Sequence, residues 1–101
     1  MELSITREEG PEAVTLVLEG SIDLISRQSL HEAGIAEINA GRSLLLDMMG
    51  VEFIDSTGIG TLVELQVAAR NAGVGVAIRR RSARVDRILE ITGLADGWVT
   101  V

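Results

Sequence analysis

Cysteine, lysine and tyrosine are absent from this 101-residue chain, and proline, histidine, phenylalanine and tryptophan occur once each, as Pro11, His31, Phe53 and Trp98. Each gap removes a class of chemistry. Without cysteine there are no disulfides, thiolate metal sites or thiol nucleophiles, which fits a reducing compartment. Without lysine there is neither a Walker lysine nor a Schiff base. A single histidine cannot build a multi-histidine metal centre. Two aromatic residues are too few to stack successive bases.

Long apolar runs are missing as well. The longest charge-free stretches, Ser56–Val63 and Asn71–Ile78, have eight residues each, against about 20 for a membrane-spanning helix. The first residues, Met-Glu-Leu-Ser-Ile-Thr-Arg, lack the basic start and apolar run of a signal peptide. A soluble cytoplasmic protein without direct membrane insertion is expected. The net charge of −6 argues against nucleic-acid binding, which depends on neutralising phosphates. The charge is uneven. Residues 1–69 carry twelve acids against three arginines, and residues 70–101 six arginines against three acids. Five arginines fall within Arg79–Arg87, either a solvated face or a docking surface for an acidic partner.

Apolar residues make up 47% of the chain, enough to fill the core of one domain of this length, 1–101. Leu3–Thr6 and Ala13–Leu18 read as two strands of a hairpin turning at Glu8–Glu12, around Pro11. Ser26 reads as the cap of a first helix ending at Asn39-Ala40-Gly41, with Leu30, Ala33, Gly34 and Ile38 inward. Ser43–Met48 has the form of a buried central strand. Asp55-Ser56-Thr57 opens a second helix with Ile59, Leu62, Val63 and Val67 as its buried stripe, stopped at Gly73. Val74–Ile78 is a further strand. Ser82 caps a third helix with Val85, Ile88, Leu89 and Thr92 inward, stopped by Gly93, and Trp98–Val101 is a last edge strand. The order ββαβαβαβ predicts an α/β fold: one mixed sheet, an antiparallel hairpin followed by mostly parallel strands, packed with helices.

Enzymatic constellations fail in turn. Residues 54–58, Ile-Asp-Ser-Thr-Gly, lack the first glycine of a nucleophile elbow. Gly58-Ile59-Gly60 and Gly73-Val74-Gly75 do not extend to a phosphate-binding loop. No acidic cluster has calcium or magnesium spacing. No catalytic residue, metal or cofactor is expected, so the chain is not read as an enzyme.

The informative segment is Leu44–Leu65, where a buried strand leads, through a connection returning Phe53 and Ile54 to the core, into a helix starting at Asp55-Ser56-Thr57-Gly58. A hydroxyl there meets unpaired N–H groups and the positive end of the helix dipole. Gly58 and Gly60 remove side chains from the turn so that another backbone can approach, at about 1 kcal/mol each against alanine. From the residues alone, two readings stay open: Asp55, Ser56 and Thr57 are ordinary caps, or the turn is a modified, partner-facing surface.

Phe53-Ile54-Asp55-Ser56-Thr57-Gly58-Ile59-Gly60 resembles the signature of the STAS family position for position. Gly20-Ser21-Ile22-Asp23 is similar to the family's Gly-x-apolar-Asp before its first helix, and Ser82–Gly93 to its third helix. The resemblance implies a STAS domain of the bacterial anti-sigma-factor-antagonist type. Its unphosphorylated form would bind an anti-sigma factor with serine-kinase activity and release the sigma factor. Phosphorylation of Ser56, with Thr57 as the alternative acceptor, would end binding, and a phosphatase would reverse it. Asp23, Asp55, Ser56, Thr57, Gly58, Ile59 and Gly60 become the partner-binding residues, on a monomer or weak dimer. Two departures stand out: many members carry one more C-terminal helix than a chain stopping at Val101, and Leu24-Ile25 is unusually apolar for a loop. Two further functions fit the family, a subunit of an ABC-type lipid transporter and a structural component of a stress-signalling assembly, the latter using Arg79–Arg87 as assembly surface.

Overall fold

The computed structural model describes residues 2–92. Within them the order is β1 (Ser4–Glu9), β2 (Ala13–Ile22), α1 (Arg27–Asn39), β3 (Ser43–Ile54), α2 (Ser56–Ala72), β4 (Val76–Arg81) and α3 (Ala83–Thr92). The expected strand at Trp98–Val101 and the stop at Gly93 lie outside the described residues. The strands form a sheet of order β1-β2-β3-β4, in which β1 and β2 are antiparallel and β2, β3 and β4 are parallel. This is the mixed α/β sheet expected from the sequence.

Period-two burial decides the sheet's inner face. Val14, Leu16 and Leu18 of β2 and Leu44, Leu46 and Met48 of β3 are buried at alternate positions. They join Leu30 and Ile38 of α1, Leu62, Leu65 and Ala69 of α2, and Val85 and Leu89 of α3 in one core. Gly34 sets how closely α1 and α2 approach: a Cβ there would lie 2.6 Å from Leu65 Cδ2.

Several element boundaries and faces differ from the sequence expectation, each for a local reason. β1 runs further toward the turn, to Glu9, because Glu8 pairs with Thr15 and Glu9 with Val14, while β2 starts at Ala13 as expected and runs past Leu18 to Ile22. Glu9 is held there by Arg42 at 2.8 Å. β3 continues six residues past Met48, through register shifts opposite Val17–Glu19 and Gly20–Ser21 that interrupt its alternation. Phe53 consequently does not return to the core: it is 48% exposed, whereas Ile54 is buried. β4 starts at Val76, not Val74, since the Val74 N–H still donates to the Ala69 carbonyl in the α2 cap. There Gly73, at φ +74°, takes the left-handed conformation that glycine adopts without steric cost.

The buried face of α2 is also rotated from the one expected. Gly58, Thr61, Leu62, Leu65 and Ala69 point inward, Ile59 and Val63 are half-buried and Val67 is exposed. In a helix apolar on most sides, hydrophobic spacing alone allows two stripes. The close α1 contact at Gly34 selects the one bearing Leu65.

Two buried acids have specific partners. Glu37 of α1 accepts from Arg7 Nε of β1 at 2.7 Å, and Arg7 shares the inner face with its partner Leu16. Asp47 of β3, nearly fully buried, accepts from Arg80 of β4 through Nε and Nη2 at 3.1 and 2.6 Å. A buried carboxylate needs such pairing to stay ionised.

Candidate functional site

The first helix-starting residues of α1 and α2 gather at the carboxyl ends of adjacent parallel strands, the edge at which open α/β sheets place their functional loops. Ile22 and Ile54 are register partners, and the Asp55 N–H donates to the Ile22 carbonyl at 3.2 Å. The 23–26 loop and the start of α2 therefore form one continuous surface.

Asp55, in extended conformation, is the N-cap of α2. Its Oδ1 accepts from the Gly58 N–H at 2.9 Å and from the Thr57 hydroxyl. The Thr57 hydroxyl and the Gly58 N–H, in that order, hold the Asp55 carboxyl below its ordinary range, with smaller help from the N–H groups of Thr57 and Leu24. Asp55 thus stays ionised and ties the second helix to the 23–26 loop. Ser56 is the first residue of α2; it is exposed, and its hydroxyl takes no part in this cap.

Gly58 and Gly60 have different roles. A Cβ on Gly58 would meet the Ile22 carbonyl oxygen at 2.6 Å and Ile54 Cγ1 at 2.8 Å, so this glycine faces inward and permits the helix start to pack on the strand ends. Contrary to the expectation from the sequence, it does not open the turn to an outside chain. Gly60 does: it is exposed, and nothing lies within 4 Å of its missing Cβ. Ile59 is half-buried against the core.

Asp23 shapes the neighbouring loop. Its Oδ1 accepts from the N–H groups of Ile25 and Ser26, both at 3.0 Å. Ser26 makes no side-chain cap for α1, contrary to expectation; its hydroxyl donates to the Ser21 carbonyl at 2.7 Å. Asp23 and Ser26 thereby fix a turn that holds Leu24 and Ile25 outward, 68% and 91% exposed. Ser56, Gly60, Leu24 and Ile25 are accessible at this end of the molecule, as is Phe53 at the end of β3.

Arg27, the first residue of α1, was not marked by any sequence motif. Its guanidinium donates to Thr61 Oγ1 at 3.3 Å and to Glu64 Oε1 at 3.1 Å, both on α2. Only the pairing of α1 with α2 brings these residues together. The Arg79–Arg87 cluster is largely occupied: Arg80 pairs with Asp47, Arg81 with Asp86 at 3.2 Å, and Arg84 donates to the Glu52 carbonyl at 3.3 Å.

A strand-ended loop, a capped helix start with an exposed serine and a mixed four-stranded sheet are together the arrangement of a STAS-type module. Residues 5–100 match the family model described as "Mlab, STAS domain", and the chain belongs to the STAS family. Its relatives include the anti-sigma-B factor antagonist of Listeria monocytogenes, 30% identical over 98 residues and covering 95% of this chain and 86% of that protein. The anti-sigma-B factor antagonist of Bacillus subtilis is 26% identical over 96 residues, with 95% and 88% covered. Among solved structures, the Bacillus cell fate determinant SpoIIAA in its phosphorylated form shares the fold. The TM-score is 0.74 at 16% identity, covering 97% of this chain and 91% of that one.

Proposed function

We propose that this chain is a phosphorylation-controlled protein-interaction switch. In its unphosphorylated form it captures an anti-sigma factor with serine-kinase activity and frees the sigma factor. A phosphate on Ser56 ends the capture, and a phosphatase restores it. Residues 1–101 act as one cytoplasmic STAS domain, monomeric or weakly dimeric. The partner surface comprises Asp23, Asp55, Ser56, Thr57, Gly58, Ile59 and Gly60, with Gly58 serving it from beneath.

The observation that carries this reading is the division of labour in Asp55-Ser56-Thr57. Thr57 gives its hydroxyl to Asp55, whereas Ser56 is exposed and outside the cap. Modification at Ser56 leaves the helix cap intact; modification at Thr57 breaks it. A phosphoserine adds about −1.5 to −2 charge beside the ionised Asp55, at a surface that a partner must desolvate. Association then fails without any change of fold. The relatives named anti-sigma-B factor antagonists, aligned along almost the whole chain, support the same partner class.

Pull-down from the source cell, ATP treatment of the recovered complex and mass mapping of the phosphate test this. The expected result is one phosphate at Ser56 with release of the partner. A kinase that adds none, or adds it outside Ser56 and Thr57, overturns the proposal. A second reading, the STAS subunit of an ABC-type lipid transporter, is favoured by the family model's own description, which names Mlab. Recovery of a permease and its ATPase in the same pull-down distinguishes it.

A further inference from the structure

Leu24 and Ile25 are side chains that the fold does not use. Both stand in solvent, at 68% and 91% exposure, so they do not cover the core. Their backbone, by contrast, is firmly held. The N–H groups of Ile25 and Ser26 donate to Asp23 Oδ1, the Asp23 N–H donates to Ser26 Oγ at 3.0 Å, and that hydroxyl donates to the Ser21 carbonyl. The Leu24 N–H adds to the donors that keep the Asp55 carboxylate ionised. The loop that displays the aliphatic pair is therefore joined to the residue preceding Ser56. A backbone already fixed has less freedom to lose on association, so burying the pair favours a complex.

The surroundings of the pair are acidic. Beside it lies an open hollow of about 480 Å³, walled by Leu3 and Ile25 and carrying Glu2 and Asp23. Asp55 adds a third carboxylate at the start of α2. The nearest cation along the chain, Arg27, is engaged by Thr61 and Glu64. A second copy of this chain would set these carboxylates against their own kind. A partner with an apolar pocket rimmed by arginine or lysine matches both the aliphatic pair and the charge around it.

We infer that Leu24 and Ile25 are the apolar anchor by which this chain grips its anti-sigma factor, in a pocket of that partner flanked by basic side chains; this rests on the reading of the chain as an antagonist. Anchor and switch are separate parts of one surface. Ser56 decides whether the complex forms, and the Leu24-Ile25 pair sets how tightly it holds.

Calorimetric titration of the purified anti-sigma factor recovered by the pull-down tests this with the full chain, the Leu24→Ala/Ile25→Ala double variant and Val67→Ala, a truncation at a 45% exposed position of α2. The double variant should bind at least tenfold more weakly, with a less negative heat-capacity change of binding and an unchanged melting temperature. Val67→Ala should bind as the parent does. Added salt should weaken parent and double variant alike, because the carboxylates remain in both. A double variant within about twofold of the parent, or an equal loss in Val67→Ala, overturns the inference. Sedimentation equilibrium in which the parent dimerises and the double variant does not makes a second copy the occupant and overturns it as well. Ser56→Asp is titrated alongside: unchanged affinity there defeats the switch, while the double variant decides the anchor by itself.

Discussion

Asp55 and Gly58 meet twice in this structure. The Asp55 carboxylate accepts the Gly58 N–H at 2.9 Å, and the missing Gly58 side chain lets the same helix start sit 2.6 Å, measured from an added Cβ, above the Ile22 carbonyl that receives the Asp55 N–H. One residue supplies the cap and the other the room for it. Ser56, between them in sequence, is left facing solvent.

Gly58→Ala should therefore destabilise the chain by about 1–3 kcal/mol, since the opposing atom is a backbone carbonyl that cannot rotate aside. Gly60→Ala should act oppositely, stabilising by up to about 1 kcal/mol through helix propensity, while weakening capture of the partner if Gly60 is its point of approach. Urea unfolding of the two variants checks the pair; equal effects would show that both glycines serve the same purpose.

Asp55→Ala should cost about 1 kcal/mol at neutral pH, the usual value of an N-cap. Thermal melts measure it. Its Thr57 partner then loses its acceptor as well, so Thr57→Val in the Asp55→Ala background should cost less than in the parent chain.

Acid should weaken the fold through a small set of carboxyls. Burial pushes the Asp47 carboxyl up, but the Arg80 guanidinium and the Met49 N–H together bring it below its ordinary 3.8. The Thr57 hydroxyl and Gly58 N–H lower Asp55 from the same value. A carboxyl whose folded-state pKa is lowered contributes its full stabilisation above the unfolded value and loses it as pH falls through the folded one. Glu37, held below its ordinary 4.5 by the Arg7 guanidinium, belongs to the same set, so stability should hold from neutral pH down to about 4.5 and decline progressively below it. Asp47→Ala, which leaves Arg80 without its partner, should lose about 2 kcal/mol at pH 7, and a smaller difference from the parent chain below pH 3.8. Denaturant titrations at pH 7 and pH 3 measure both values.

The mixed character of the sheet and every element within residues 2–92 were legible in the sequence, because turn residues and hydrophobic period mark existence and type of an element well. Phasing was less legible. Ile59, Leu62, Val63 and Val67 were as good a stripe as the one bearing Leu65, and the choice belongs to Gly34 on another helix. The continuation of β3 from Met49 to Ile54 is hidden by bulges that break its alternation. At the candidate site, the Asp55-Ser56-Thr57-Gly58 turn was visible as a motif, and so was Asp23. Which hydroxyl was free, which glycine faced inward and the reach of Arg27 to Thr61 and Glu64 depend on contacts between elements far apart in the chain.

The central claim is that charge at Ser56, not a change of fold, ends capture of the partner. Calorimetric titration of the recovered anti-sigma factor with the parent chain, Ser56→Ala and Ser56→Asp tests it most directly, with thermal melts on the same samples. Ser56→Ala should bind as the parent does. Ser56→Asp should bind at least tenfold more weakly, about 1.4 kcal/mol, with an unchanged melting temperature. Equal affinity of Ser56→Asp and the parent chain, or a loss of binding that follows a loss of folded protein, would contradict the account.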